Sequence, residues 1–170
     1  MVRRGDADAM LCGLVGRFDV HLGHVRDVIG LKPGATTLAT LNALMLPQQT
    51  IFVTDTFVNE EPTAEQLAEI AAMAAVEVRR FGLPPKVAFL SHSMFGSSDR
   101  PSARRMRRAH KLFAAACPDV ECDGEMHGDA ALSEEVRRTF LPDSTLKGAA
   151  NIFVMPNLDA ANILFNVLKM

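Results

Sequence analysis

Short apolar runs alternate along the chain with longer segments in which apolar residues recur every three or four positions. The run at 49–55 (QTIFVTD) is rich in β-branched residues and has the length of a buried strand. The segment that begins at Thr63 keeps helical spacing until Gly82, where glycine and the prolines that follow end it. This alternation continues to the end of the chain. It predicts further strands over 86–91, 119–123 and 150–155, and further helices over 101–116, 133–138 and 159–169.

The first third of the chain is less regular. Residues 18–29 place their apolar positions on one face of a predicted helix, and residues 32–34 indicate a turn. Residues 36–46 fit a strand or a helix, because β-branched residues are mixed with alanine and leucine. The whole pattern predicts a three-layer α/β domain in which helices cover a mixed, mostly parallel sheet.

Composition excludes several classes of protein. A chain of 170 residues with 48% apolar residues has enough hydrocarbon for one domain or two small lobes, so disorder over its whole length is excluded. A net charge of -2, without tryptophan or tyrosine, argues against a nucleic-acid partner. No run approaches the about 18 apolar residues of a membrane span. The three cysteines form no CxxC pair, so we expect reduced, partly buried thiols in a cytoplasmic protein.

The polar segment at 91–98 (SHSMFGSS), here called the serine loop, joins a predicted strand to a predicted helix. Ligands of open α/β sheets collect at the carboxyl ends of strands, so its serines and glycine are candidates to hold a phosphate or acyl group. Alternatively, the serines satisfy the backbone of the loop itself. The loop is neither a Walker loop nor a nucleophile elbow, because both glycine signatures are absent from the sequence.

The predicted helix after the serine loop is strongly basic. It carries Arg104, Arg105, Arg107, Arg108, His110 and Lys111. Such a run favours a solvated helix face over a site for a phosphorylated ligand, although both interpretations stay open.

Two further segments follow predicted strands. Residues 123–129 (DGEMHGD) resemble an irregular loop whose two acids and histidine suit a cation or proton transfer, but they supply few oxygen donors, so we predict no metal site. In the alternative interpretation, Asp129 only caps the next helix. Asn157 follows the last strand, where it is a candidate wall of a cleft or simply a helix cap.

In this order, the segments resemble the phosphate acetyltransferase family, and more closely the phosphotransacetylase-like C-terminal domain of bacterial NADP-dependent malic enzymes. The matching blocks are 6–8 (DAD), 53–62 (VTDTFVNEEP), 64–70 (AEQLAEI), 87–98 (VAFLSHSMFGSS), 123–132 (DGEMHGDAAL), 142–148 (PDSTLKG) and 150–163 (ANIFVMPNLDAANI). The likeness to malic enzymes rests on 13–16 (GLVG), the serine loop, 123–132 and the turn 154–157 (VMPN).

The resemblance implies a phosphotransacetylase-type, isocitrate/isopropylmalate dehydrogenase-like fold. Residues 1–35 would be a remnant of the first lobe and residues 36–170 the second lobe. Acetyltransferases of the family carry a His-Ser/Thr-Thr segment after the glycine-rich stretch, where this chain reads GRFD at 16–19. Their Ser-Arg-Gly segment lies downstream of Met170. We therefore expect this chain to have no acyltransferase activity of its own.

The resemblance further implies a regulatory and oligomerisation domain that senses acetyl-CoA. Its partners would be the catalytic malic enzyme domain, which binds NADP and a divalent metal, and further copies in a homodimer or higher homo-oligomer. A phosphate acetyltransferase, or a dimerisation scaffold without ligand, are the alternatives. For acetyl-CoA, Arg17 and Arg26 are the candidate phosphate ligands; the alternatives are a surface position for Arg17 and a salt bridge from Arg26 to Asp27 or Asp19. The candidate cleft residues are Ser91, Ser93, Gly96, Ser97, Ser98 and Asn157.

Overall fold

The structure, a computed structural model, describes residues 1–11 and 13–170. It divides into two compact units, Met1–Thr36 and Thr37–Met170. In its described residues the first unit contains the 3-10 turn Val2–Arg4 and helix α1 (Phe18–Val28), which confirms the predicted helix. Two of the three cysteines, Cys117 and Cys122, are free thiols in the second unit, whereas Cys12 lies outside the described residues.

The second unit is built on a five-stranded sheet in the order β1-β2-β5-β3-β4. Its strands are β1 (Asn42–Met45), β2 (Thr50–Thr54), β3 (Lys86–Leu90), β4 (Glu121–Met126) and β5 (Ile152–Val154). Its helices are α2 (Ala64–Arg80), α3 (Pro101–Ala116), α4 (Gly128–Leu132), α5 (Glu134–Phe140) and α6 (Leu158–Leu168). Only β1 runs antiparallel to its neighbour. The predicted mixed, mostly parallel α/β sheet is therefore confirmed.

Apolar side chains from the sheet enter two separate cores. Phe52, Val87 and Phe89 face α2 and α3, where they pack with residues such as Leu67 and Phe113. Alternate residues of the same strands, including Val53, Ala88 and Phe153, face α4 and α6. This alternation follows from the two-residue period of a strand and gives the predicted three layers.

The helix signals in the sequence act as expected. Thr63 forms a full capping box with Gln66, and Pro101 lies in the first turn of α3. The ambiguous segment 36–46 is resolved by β1, whose register pairs Ala43 with Phe52. Because β1 is an edge strand with one buried residue, Leu44, its own pattern carries little information.

The carboxyl ends of β2, β5, β3 and β4 all lie at the same edge of the sheet, because these strands are parallel. β2 continues into α2 on one face, whereas its neighbour β5 continues into α6 on the other. This change of direction between adjacent strands is the position where open α/β sheets form a ligand crevice. No helix within residues 1–11 and 13–170 is both long and apolar enough to cross a membrane.

Candidate ligand site at the carboxyl ends of the strands

The serine loop leaves β3 at this edge and folds back onto the end of β4. The amide of Ser91 donates to the carbonyl of Met126 at 2.8 Å, and the amide of Phe95 donates to the carbonyl of Glu125 at 2.8 Å. Phe95 has a φ of 45° and Gly96 a φ of 96°. The loop therefore turns sharply through two left-handed residues, the first of which is not glycine.

The side chain of Glu125 lies beneath the loop and is fully buried. Its carboxylate accepts from the Ser93 hydroxyl at 2.7 Å, the Gly96 amide at 2.9 Å and Nε of Arg107 at 2.9 Å. Burial by itself raises the pKa of Glu125, but hydrogen bonds from Arg107 and the loop outweigh it and lower the pKa to about 2. Glu125 is therefore an anion at neutral pH, paired with a cation from α3.

The serine hydroxyls mostly bond within the loop. Ser93 is fully buried and accepts from the amide of Ser98 at 3.1 Å. Ser97 accepts from the amide of Met94 at 2.9 Å, and Ser91 accepts from the amide of Ser93 at 3.1 Å. Gly96 and Ser97 are the exposed positions among the candidate residues of the loop. The loop thus satisfies its own backbone, as the alternative hypothesis stated, and presents its tip to solvent.

Asn157 lies at the end of β5, next to the crevice. Its side-chain oxygen accepts from the amide of Ala160 at 3.0 Å and caps α6. Its amide nitrogen donates to Glu61 at 3.0 Å. Glu61 in turn pairs at 2.7 Å with Arg105, which also donates to the carbonyl of Pro156 at 2.9 Å. Asn157 is therefore both a cap and a bridge between the ends of β5 and β2.

The basic helix α3 is largely occupied by ion pairs. Arg105, Arg107 and Arg108 pair with Glu61, Glu125 and Glu65, respectively. The sequence did not predict these contacts, because the partners are distant in the chain. A surface pocket of about 460 Å³ opens beside this helix. It is lined by Glu61, Pro62, Thr63, Ala64, Glu65, Pro101, Arg104, Arg105 and Arg108.

The prediction of an irregular loop at 123–129 is wrong. Strand β4 continues to Met126 and α4 begins at Gly128, with Asp129 in its first turn. The carboxylate of Asp123 points inward and accepts from the amide of Leu146 at 3.2 Å. Among the residues that the structure describes, no group of three or more histidine, cysteine or acidic side chains is placed to hold a metal.

The two arginines predicted to bind phosphate belong to the first unit. Arg17 precedes α1 and pairs with Asp19 at 2.9 Å. Arg26 lies in the last turn of α1, 3.5 Å from Asp27. All four side chains are mostly exposed. The alternatives stated for both residues, a surface position and a salt bridge, therefore describe their contacts in this structure.

His110 of α3 turns its ring into the interior of the protein. In the sequence it is recognisable only as one member of the basic run. Its ring lies 5.8 Å from that of Phe89, and within the described residues its Nε2 has no hydrogen-bond partner. Burial lowers its pKa, although Asp123 and Glu125 oppose the shift. As the pH falls below about 6.5, His110 therefore becomes protonated in the unfolded chain before it does so in the folded chain.

This shift predicts acid-sensitive stability. We expect the free energy of unfolding to be largest above about pH 6.5 and to fall as the pH is lowered towards 5, with a flatter dependence in His110→Gln. Urea titrations at a series of pH values measure both slopes. His24→Gln, at an exposed position of α1, is the control and keeps the wild-type slope. Identical slopes for His110→Gln and wild type would contradict the prediction.

Comparison with known proteins places this geometry in a family. The family described as phosphate acetyl/butaryl transferase matches residues 1–170, the full length of the chain. The chain belongs to this family. A phosphotransacetylase from Streptococcus pyogenes has the same fold, with a TM-score of 0.91 and 32% identity over 99% of this chain and 52% of that one.

Two relatives show that the chain is similar both to malic enzymes and to phosphate acetyltransferases. The chain is 55% identical to the NADP-dependent malic enzyme of Escherichia coli over 99% of its own length, but over only 22% of that enzyme. It is 33% identical to the phosphate acetyltransferase of Nitratidesulfovibrio vulgaris over 99% of its length and 24% of the enzyme. The chain thus spans less than a quarter of either relative and corresponds to the phosphotransacetylase-like region of the malic enzyme.

Proposed function

We propose that this chain is the regulatory and oligomerisation domain of an NADP-dependent malic enzyme, that it senses acetyl-CoA, and that it carries no catalysis of its own. The observation that carries the proposal is that the serine loop and Asn157 follow β3 and β5, which are adjacent parallel strands, so that both lie at the edge of the sheet where open α/β sheets bind ligands. The stronger identity to a malic enzyme than to a phosphate acetyltransferase supports the choice of parent protein.

The exposed tip of the serine loop suits the acyl and pantetheine end of acetyl-CoA. Gly96 has no side chain to block a ligand, and Ser97 beside it is an exposed residue. Asn157 contributes its side-chain amide, whose nitrogen donates a hydrogen bond to Glu61. The conformation of the loop is supported by hydrogen bonds among Ser91, Ser93 and Ser98, in which the Ser93 amide donates to Ser91 and the Ser98 amide donates to Ser93.

Arg17 and Arg26 are assigned to the phosphates. A guanidinium donates two parallel hydrogen bonds to a phosphate, which a lysine does not. Their present partners, Asp19 and Asp27, form exposed pairs, and solvent screening leaves such pairs with little stabilising effect. A phosphate can therefore replace either carboxylate at small cost.

The remaining parts of the proposal concern other polypeptide segments and copies. Malate oxidation, NADP and the divalent metal are assigned to the catalytic part of the parent enzyme. That part and further copies of this chain are the proposed partners. Sensing requires acetyl-CoA to bind two global states of the enzyme with different affinity.

A phosphate acetyltransferase is the second candidate. The match to the Nitratidesulfovibrio vulgaris enzyme and the fold shared with the Streptococcus pyogenes phosphotransacetylase favour it. The GRFD segment at 16–19 argues against it, because it lacks the hydroxyl-bearing residues expected in an acetyl-phosphate pocket.

Isothermal titration of the chain with acetyl-CoA, and with CoA for comparison, tests the proposal. We expect saturable binding that weakens about tenfold in Arg26→Ala, because one charge-assisted phosphate contact is lost. Arg4→Ala, which removes an exposed arginine paired with Asp6, is the matched control and leaves affinity unchanged.

Two results would contradict this assignment. Formation of acetyl phosphate from acetyl-CoA and phosphate would favour the acetyltransferase. A dimer by light scattering that gives no heat with acetyl-CoA would favour the scaffold without ligand.

A further inference from the structure

The Glu125 carboxylate is the point where two of the four segments on which the malic-enzyme resemblance rests meet. Glu125 comes from DGEMHGDAAL, at the end of β4, and its hydrogen-bond partners Ser93 and Gly96 come from the serine loop. The backbone carbonyl of Glu125 also accepts the amide of Phe95. A single fully buried residue therefore accepts hydrogen bonds from three residues of the loop, Ser93, Phe95 and Gly96.

Arg107 closes the same arrangement from α3. It donates to Glu125 through Nε at 2.9 Å and through Nη2 at 3.0 Å. Nη2 also donates to the carbonyl of Ser98 at 2.8 Å, at the far end of the loop. Arg107 therefore holds both the carboxylate under the loop and the backbone where the loop ends.

An ion pair with one fully buried partner, here Glu125 with the partly exposed Arg107, is not explained by stability alone. Desolvation of the buried carboxylate offsets much of the attraction, and an apolar residue of similar size often stabilises a protein as well or better. What a buried pair does provide is specificity, because a loop placed differently would leave a charge without partners.

The backbone at Phe95 shows what that specificity maintains. A phenylalanine with a φ of 45° is in a backbone region that residues other than glycine rarely adopt. Such a conformation persists only where the surrounding structure imposes it. Here the conformation is imposed by the hydrogen bonds that the amides of Phe95 and Gly96 donate to Glu125.

We propose that Glu125, held by Arg107, is the positioning residue that keeps the serine loop in the conformation presenting Gly96 and Ser97 to ligand. The inference rests on the proposed acetyl-CoA site for its ligand, and on the geometry alone for the conformation of the loop.

Two variants and a matched pair of controls test the inference. Glu125→Gln keeps the shape of the side chain and removes its charge; Arg107→Lys keeps a charge and removes the two-point contact. Glu65→Gln and Arg108→Lys make the same changes in an exposed pair that joins α3, through Arg108, to Glu65 of α2. Amide hydrogen exchange by NMR reports on the loop, and isothermal titration reports on acetyl-CoA, both under conditions where every variant is folded.

We expect Glu125→Gln to speed exchange of the Gly96 amide about tenfold and to weaken acetyl-CoA binding by a similar factor, with a smaller change in Arg107→Lys. Exchange in the core strands should stay at its wild-type rate, which separates local positioning from general destabilisation. The two control variants should leave both measurements unchanged.

Unchanged exchange at Gly96 and unchanged affinity in Glu125→Gln would overturn the inference, as would equal effects in the Arg108–Glu65 controls. If Glu125→Gln does not fold, Arg107→Lys alone decides by the same two measurements. If wild type binds no acetyl-CoA, the proposed function fails, and the exchange data still decide whether Glu125 positions the loop.

Discussion

Replacing Arg137 with methionine is expected to lower the free energy of unfolding by about 3–5 kcal/mol. Arg137 is fully buried in α5 and donates to the carbonyls of Ala130 at 2.7 Å, Leu146 at 2.7 Å and Gly148 at 2.8 Å. It also donates to the hydroxyl of Ser144 at 2.9 Å. Methionine fills a similar volume, but it removes all four of these donated hydrogen bonds, three of which are buried. Urea denaturation followed by far-UV circular dichroism measures the change.

The neighbouring arginine provides the control. Arg138 is 52% exposed and forms only a surface pair with Glu134, at 2.9 Å. Arg138→Met should therefore change the free energy of unfolding by less than about 0.5 kcal/mol. Similar losses for the two variants would show that the buried contacts of Arg137 do not stabilise the fold.

Gly124→Ala is the second substitution with a large expected effect, a loss of about 3 kcal/mol. Gly124 has a φ of 153°, and a Cβ there would lie 2.6 Å from the Cβ and 3.0 Å from the carbonyl oxygen of Phe89. Phe89 is the fourth residue of β3, lies directly opposite Gly124 in the register and is fully buried. Separation of the two backbones at this point would disturb the pairing of β3 with β4. Thermal and urea unfolding of the variant measure the loss.

Gly128→Ala makes the same change four residues later, at the first position of α4. A Cβ there meets no described atom within 4 Å. The expected change is within about 0.5 kcal/mol in either direction. If Gly124→Ala were as stable as Gly128→Ala, the close approach of β3 and β4 would not constrain residue 124.

The sequence predicted best where local chemistry and burial agree. Helix α2 has an apolar stripe, a capping threonine and a terminating glycine, and the structure shows all three. Strand β1 has one buried residue and could be assigned only after its pairing with β2 was known. The error at 123–129 has a related cause: glycine suggested a loop, whereas Gly124 is required because β3 passes too closely for a side chain.

The candidate site shows the same division. The strand-to-helix position of the serine loop could be predicted from spacing, and so could the capping role of Asn157. The ion-pair partners of the arginines in α3 could not be predicted from the sequence. Arg107 meets Glu125, 18 residues away in sequence, whereas Arg105 meets Glu61 and Arg108 meets Glu65, on a different helix or loop. In the sequence, all three belong to one basic run.

The sequence by itself determined most of the alternation of strands and helices after residue 49, the α/β class and the family, because each depends on local spacing or on long runs of matching residues. Only the tertiary structure decided which charges are buried and paired. It made Arg137 an interior hydrogen-bond donor and Arg138 a surface residue, although the two are adjacent and identical. The physical reason is that desolvation and pairing depend on which distant segments pack around a side chain, and no local pattern records that.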